Sequence, residues 1–256
     1  TLGAFTKYPR KSILDKKSGH IKDKKYGFFH SQNTFFDEVA NELGMVDSNG
    51  EYMRHPLAYL VEAADDICYT LIDFEDGINL GWISEEYALE FLIRLVKDSI
   101  DTKKYNSLKH KTDRVAYLRA LSVNTLINDT VKIFLANEEK ILNGQFTKTL
   151  LSESVFKAQM KDIIDISVRK VYNSKEVIEK ELKGYQVIHK LLSVFIKASV
   201  NNQSDNTTAL DDLVLSSLPQ AYIHKDGNLY DQLLDISCFV ASLTDGNALE
   251  WYNKIS

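Results

Sequence analysis

The chain has 256 residues, enough for one large or two small domains with a hydrophobic core. Its apolar share of 44% and charged share of 26% are ordinary for a folded globular protein and exclude gross disorder. A net charge of −5 makes nonspecific nucleic-acid binding a poor default, because that mode needs a concentrated cationic surface; a local basic pocket for a polyphosphate stays open at the lysine cluster of residues 16–25.

No apolar run approaches the ~20 residues that a membrane span needs, so no membrane partner is expected. The two cysteines, Cys68 and Cys238, lie far apart, with neither CxxC nor metal-ligand spacing. They read as reduced thiols of a cytoplasmic protein. The first residues, Thr1-Leu2-Gly3-Ala4-Phe5-Thr6-Lys7-Tyr8-Pro9, carry no initiator Met and no basic-then-apolar signal pattern. They read as the interior of a longer protein.

The 3 prolines, Pro9, Pro56 and Pro219, leave long stretches free to be helical. After Pro56, apolar residues recur at three- and four-residue steps: Leu57, Leu60, Val61, Ala64, Ile67, Cys68, Leu71 and Ile72 predict a first long helix. Ser84-Glu85-Glu86 suits an N-cap and opens a second, through Phe91, Leu92, Leu95 and Ile100. Tyr117, Leu121, Leu126, Ile127 and Phe134 mark a third, and further helices are predicted in 156–171, 177–200, 209–218 and 229–243. Between them, 140–150 with Asn143-Gly144 reads as a short hairpin or an extended excursion, and the polar run 201–206 as a loop. No internal repeat is visible. The predicted fold class is all-α.

The segment most informative about chemistry runs from Arg54-His55-Pro56 to Gly77. Pro56 suits the first helical turn, His55 the turn before it, and Gly77 a C-terminal stop. Asp65, Tyr69 and Asp73 fall at i, i+4 and i+8, and each step of four residues advances only about 40°, so the three share one side. Val61, Ala64, Cys68 and Ile72 lie beside that line, which predicts that Asp65 and Asp73 sit at the edge of the core. A carboxylate there is costly unless a cation or hydrogen-bond donors compensate. Oxygen ligands of this kind suit Mg²⁺ or Mn²⁺. The competing reading makes Glu62, Asp65, Asp66, Asp73, Glu75 and Asp76 a solvated acidic face, against which stands the mutual repulsion of like charges one turn apart.

The string Glu62-Ala63-Ala64-Asp65-Asp66-Ile67-Cys68-Tyr69, with Asp73 and Glu75-Asp76-Gly77 after it, resembles the last motif of the dGTP/dNTP triphosphohydrolases. These are helical HD-superfamily enzymes that cleave a dNTP to the deoxynucleoside and inorganic triphosphate. The resemblance implies that Asp65 is a metal ligand, that Tyr69 borders sugar and base, and that Asp73 accepts the 3′-hydroxyl. Asp66 is not expected to bind metal.

Residues 2–9 resemble the family's substrate-side stretch and Lys24-Lys25-Tyr26-Gly27-Phe28-Phe29 its lysine-bearing one. This implies Lys7 and Lys25 as phosphate contacts with Tyr8 beside them. The stretch Asp113-Arg114-Val115-Ala116-Tyr117-Leu118-Arg119-Ala120 resembles an arginine-bearing helix near the phosphates, with Arg119 as its candidate. Leu234-Asp235-Ile236-Ser237 and then Leu243-Thr244-Asp245-Gly246-Asn247-Ala248-Leu249 resemble the C-terminal signature, with Leu243 in place of the usual methionine.

The resemblance thus implies the C-terminal portion of such an enzyme, with a substrate and metal half at about 1–135 and a C-terminal helical region at 136–256. It further implies a dNTP substrate, a divalent metal and a homo-oligomer, with a regulatory nucleotide or single-stranded DNA as further partners. None of the 6 histidines is followed by aspartate, so the family's His and His-Asp ligands are absent and the chain alone is expected to be inactive. Two other readings are an HD phosphohydrolase for another nucleotide, such as a guanosine polyphosphate, and a non-catalytic helical interaction module. Asp73, as a 3′-hydroxyl reader, argues against a 3′-phosphorylated substrate.

Overall fold

A computed structural model describes residues 2–12, 24–204, 206–222 and 227–255. Regular structure among them is helical, and extended backbone pairs only in single bridges, Lys11 with Phe28 and Val46 with Tyr52. The all-α class therefore holds. No helix among the described residues is long and apolar enough to cross a membrane. The chain divides into two compact units, Thr1–Ser174 and Lys175–Ser256.

The first unit contains α1 (Leu2–Phe5), α2 (Asn33–Glu42), α3 (Pro56–Asn79), α4 (Glu85–Val96), α5 (Thr102–Ser107), α6 (Lys111–Ala136), α7 (Glu138–Leu142) and α8 (Lys157–Ser167). Helix α3 is its axis, packed against α1, α6 and α8. It starts where its sequence says: Pro56 takes the first turn, where its missing N–H costs nothing, and the His55 side chain caps the helix by accepting the Leu57 N–H at 3.1 Å. Burial, larger than any other cause, holds the His55 imidazole below its ordinary pKa, which keeps it a neutral acceptor. Helix α4 begins after Ser84 as predicted, although the serine side chain makes no capping bond.

The face of α3 that enters the core carries Ala58, Tyr59, Glu62, Ala63, Ile67, Thr70, Leu71, Phe74 and Ile78. Ile67, Leu71, Phe74 and Ile78 meet Leu92 and Leu95 of α4, Val115, Leu118 and Leu126 of α6, and Ile163 of α8. Each such side chain, fully buried, contributes about 1.5–3 kcal/mol. This corrects the expected stripe, because Val61, Ala64, Cys68 and Ile72 are all exposed. Helix α3 is apolar along two neighbouring arcs with the same period. Periodicity alone does not choose between them, and Glu62 and Thr70 dilute the arc that is buried.

Gly77 is likewise not the helix stop. It lies inside α3, where an added Cβ would come within 2.6 Å of Val171 and 2.9 Å of Ile83. The left-handed residue that turns the chain is Gly81, at φ 78. The hairpin alternative for 140–150 also falls. Gly144, at φ 69, follows α7, and the chain then runs without strand pairing. Phe146 and Leu150 from this excursion join Tyr59, Ala63 and Ile141 in a satellite core.

Helix α8 ends in a π-helical turn, Val168–Tyr172, in which the Asn173 N–H reaches the Val168 carbonyl at 3.1 Å. The functional division expected near residue 135 meets the end of α6, inside the first unit.

The second unit packs α9 (Lys175–Gln203), α10 (Ala209–Ser216), α11 (Leu229–Ser242) and α12 (Asp245–Lys254) around Val187, Leu191, Phe195, Val214, Ile236 and Phe239. The loop expected at 201–206 begins later, since α9 extends through Gln203. Asn201 there donates to Asp211, whose carboxylate also accepts the Thr208 N–H at the start of α10.

Candidate functional site

Asp65, Tyr69 and Asp73 project from one side of α3, with Tyr69 58% exposed and Asp73 half-buried. Asp65 is not at the core edge as expected: its side chain is 66% exposed. The compensating cation is nevertheless present, for Lys7 Nζ donates to Asp65 Oδ2 at 2.6 Å. In so open a position such a pair contributes about 0–1 kcal/mol, so its importance is where it puts a positive charge.

Lys7 is delivered by two loops lying side by side. The Ser12 N–H donates to the Phe28 carbonyl at 3.0 Å and the Gly27 N–H to the Arg10 carbonyl at 2.9 Å. Gly27 sits so close to Tyr8 that an added Cβ would fall 1.9 Å from its carbonyl oxygen. Phe28 stacks on Phe36 of α2, centroids 4.1 Å apart, and anchors the loop. Pro9 is buried and Tyr8 half-buried.

The arrangement thus joins the two flanking segments that the sequence singled out. Lys25 is exposed and has no ion-pair partner among the described residues. Its neighbour Lys24 acts on Asp66, whose carboxyl is pushed up first by burial, then by the charge of Glu62, with Lys7 and Lys24 opposing. Residues 16–23 of the lysine cluster lie outside the described residues.

At the other end of the line is a residue that the sequence did not reveal. The Tyr172 hydroxyl donates to Asp73 Oδ2 at 2.5 Å, and its ring stacks on Tyr69, centroids 5.9 Å apart and 24° from parallel. Burial, then the hydrogen bonds to Asp73 and Tyr69, raises the Tyr172 pKa far above the tyrosine range, so it is a donor at any working pH. Asp73 and Tyr172 are 99 residues apart, and the helical period read over 156–171 stops one residue short of the tyrosine. Beside the tyrosines opens a cleft of about 400 Å³ bordered by Asp66, Thr70, Ser152, Lys157 and Lys161.

Arg119 is placed elsewhere. It pairs with Glu75 at 2.6 Å, ten residues along α3 from Asp65, or about 15 Å along the axis. Burial raises the Glu75 carboxyl while Arg119 opposes. Glu62 also leaves the acidic set. It is buried and accepts from Arg54 Nη2 at 3.0 Å, while the guanidinium lies 4.3 Å from the Tyr59 ring centre. Arg54 and Glu62 are 3% and 5% exposed, and the pair locks the first turns of α3. The sequence signal for it, an arginine eight residues before a glutamate, is too common to have been read.

Among the described residues, no group of three or more His, Cys, Asp or Glu side chains is placed to hold a metal ion. Asp65 is matched by Lys7, Asp73 by Tyr172 and Glu62 by Arg54. These residues therefore do not by themselves make a metal centre. What they do make is a ridge with a cation at one end, stacked aromatic rings in the middle and an oriented carboxylate at the other.

No family model matches the chain. Comparison with curated proteins is more informative. A deoxyguanosinetriphosphate triphosphohydrolase-like protein of Synechocystis sp. is 30% identical over 262 residues, covering 100% of this chain and 58% of the relative. One of Listeria monocytogenes is 29% identical over 280 residues, covering 100% and 59%. A deoxyguanosinetriphosphate triphosphohydrolase of Serratia proteamaculans is 30% identical over 188 residues, 67% of this chain and 36% of the relative. The chain thus spans somewhat more than half the length of the relatives that match it throughout. By these matches the chain is, along its whole length, a homologue of the deoxyguanosinetriphosphate triphosphohydrolase-like proteins.

Proposed function

We propose that these residues form the substrate-facing part of an enzyme that cleaves a deoxynucleoside triphosphate to the deoxynucleoside and inorganic triphosphate. The observation that carries the reading is the ridge from the Lys7–Asp65 pair through Tyr69 to the Asp73–Tyr172 pair. From Asp65 to Asp73 it runs eight residues, about 12 Å of helix, on the scale of a nucleotide laid along it.

In this reading Lys7, with Lys25 and Tyr8, meets the triphosphate as a set of mobile point charges and donors. Arg119 joins them only by leaving Glu75. Tyr69 borders sugar and base. Tyr172, donating to Oδ2 of Asp73, holds that carboxylate so that Oδ1 accepts the 3′-hydroxyl proton. A 3′-phosphate in that place would be repelled, which disfavours a guanosine polyphosphate substrate.

Asp65 is our one candidate ligand for a divalent ion, Mg²⁺ or Mn²⁺. The other ligands would come from residues outside this chain, so the chain alone is expected to be inactive. Most of the substrate half lies before about residue 135, and the helical region 136–256 contributes Tyr172 to it. A cytoplasmic homo-oligomer, with regulatory nucleotide or single-stranded DNA as further partners, belongs to the same proposal.

The test is triphosphate release by the protein expressed from its full reading frame, with the four dNTPs and a 3′-phosphorylated guanosine nucleotide as substrates. Release from at least one dNTP, lost in Asp65→Ala and weakened by Asp73→Asn, is expected. Hydrolysis of the 3′-phosphorylated nucleotide alone would sink the proposal.

A further inference from the structure

The second unit holds a cleft of about 630 Å³, within the ~300–1,000 Å³ usual for small-molecule sites. One wall is a face of α9. Lys190, Val194, Lys197 and Asn201 stand there at i, i+4, i+7 and i+11, an arc of about 60° at ~100° per residue. The other walls come from α10 and α12, and Leu213, Val214, Trp251 and Ile255 join Val194 as an apolar lining. Phe195 and Phe239 hold the Trp251 ring from behind, at centroid distances of 5.8 and 5.4 Å, so this wall is firm.

The charges around the cleft are uneven. Three ammonium groups, Lys190, Lys197 and Lys254, border it, against one carboxylate, Asp211. Lys254 pairs with Glu250 at 2.9 Å. The hydrogen bond from Asn201, then those from Thr208, hold the Asp211 carboxyl below its ordinary pKa, and the charge of Lys197 adds to them. Lys190 has no ion-pair or hydrogen-bond partner among the described residues. One positive charge beside an apolar lining is therefore unmatched.

We propose that this cleft binds an amphipathic monoanion, an aliphatic carboxylate whose head meets Lys190 and whose chain lies along Val194, Val214 and Trp251. A nucleoside triphosphate fits less well, because its several negative charges would find a single unmatched cation. The polar side chains point the same way. Asn201 and Thr208 are engaged with Asp211, which closes the capping box of α10, and the Ser217 hydroxyl donates to the Val214 carbonyl at 2.5 Å. Little is left to read the edge of a base, and a polar edge buried without partners is costly. A chain of methylenes needs none of these bonds and gains by leaving water. The inference concerns Lys175–Ser256 alone and does not rest on the proposed chemistry.

The test is isothermal titration calorimetry with monomeric decanoate on the protein from its full reading frame. Saturable binding at one site per chain is expected. Decanol, which has the same chain without the charge, should bind about tenfold more weakly, the worth of one charge-assisted contact. Lys190→Gln should weaken decanoate by a similar factor and leave decanol unchanged. Val194→Trp, which fills the cleft, should abolish both; should it not fold, Leu213→Asp replaces it. Added dGTP should not displace decanoate.

Absence of saturable binding would overturn the inference, including the case in which the rest of the chain fills the cleft. So would equal binding of decanol, or decanoate binding left unmoved by Lys190→Gln or by the cleft substitution. Displacement by dGTP would make the cleft a nucleotide site and overturn it as well. Triphosphate release is not read in any of these measurements, so failure here and failure of the proposed activity are separate outcomes.

Discussion

Tyr172→Phe leaves the ring stacked on Tyr69 at 5.9 Å and removes one hydroxyl, and with it the 2.5 Å bond to Asp73 and the hydroxyl's interaction with Tyr69. A hydrogen bond to a charged acceptor contributes about 1.5–3 kcal/mol when buried. Both partners here are only half-buried, which argues for a value just below that range, about 1–1.5 kcal/mol. For a unit of this size, Thr1–Ser174, that is a fall in Tm of roughly 2–6 °C.

The decisive measurement is a double-mutant cycle with Asp73→Ala, which removes the acceptor, read by urea unfolding, because the bond predicts a coupling of about 1 kcal/mol beyond the sum of single effects. The coupling should persist to pH 9, since burial and the bond to Asp73 hold the Tyr172 proton well above the tyrosine range. A coupling below about 0.3 kcal/mol, within the scatter of independent sites, would refute the role given to Tyr172.

Three further substitutions probe α3. Glu62→Ala strands the buried Arg54 guanidinium and should cost about 3–5 kcal/mol in chemical unfolding, whereas Arg54→Met with Glu62→Leu should cost far less; equal losses would show that packing and not charge governs the site. Gly77→Ala gains helix propensity but pushes against Val171 and Ile83, for a net loss of about 1–2 kcal/mol; a rise in Tm would mean that the contact relaxes freely. His55, depressed chiefly by burial, favours the folded state while neutral, so that stabilisation is present above the ordinary imidazole value of about 6.5 and is lost as pH falls through and below it. The Tm of His55→Asn, which keeps a cap, should fall less between pH 7 and pH 5 than that of the parent, and parallel curves would discard the His55 argument.

The helices were legible because proline, cap and period act locally. Pro56 and His55 open α3, and Ser84 precedes α4, from nothing more than neighbouring residues. Which arc of α3 meets the core was not legible, since the choice belongs to what packs there. Leu71 and Ile72 are equally apolar, yet one is 1% exposed and the other 43%.

Of the candidate site, the resemblance supplied Lys7, Asp65 and Asp73, while the 2.6 Å pairing of Lys7 with Asp65 required the Gly27 and Phe28 contacts to be formed. Tyr172 and the Arg54–Glu62 pair escaped because both are meetings across the fold, invisible to spacing. Gly77 was misread because a helix-ending glycine and a close-packing glycine look alike in sequence.

The π turn at Val168–Tyr172 makes the meeting of the two tyrosines a matter of residue count. Wound as a regular α-helix with no residue removed, the same segment would swing the side chain of Tyr172 by about 100° around its axis, because the wider π turn takes up one extra residue. The hydroxyl would leave Asp73 while composition and helix content stayed almost unchanged. A relative one residue shorter in this segment would therefore keep the Asp73 contact on a regular α-helix, whereas one of equal length that winds it without the π turn would lose the contact.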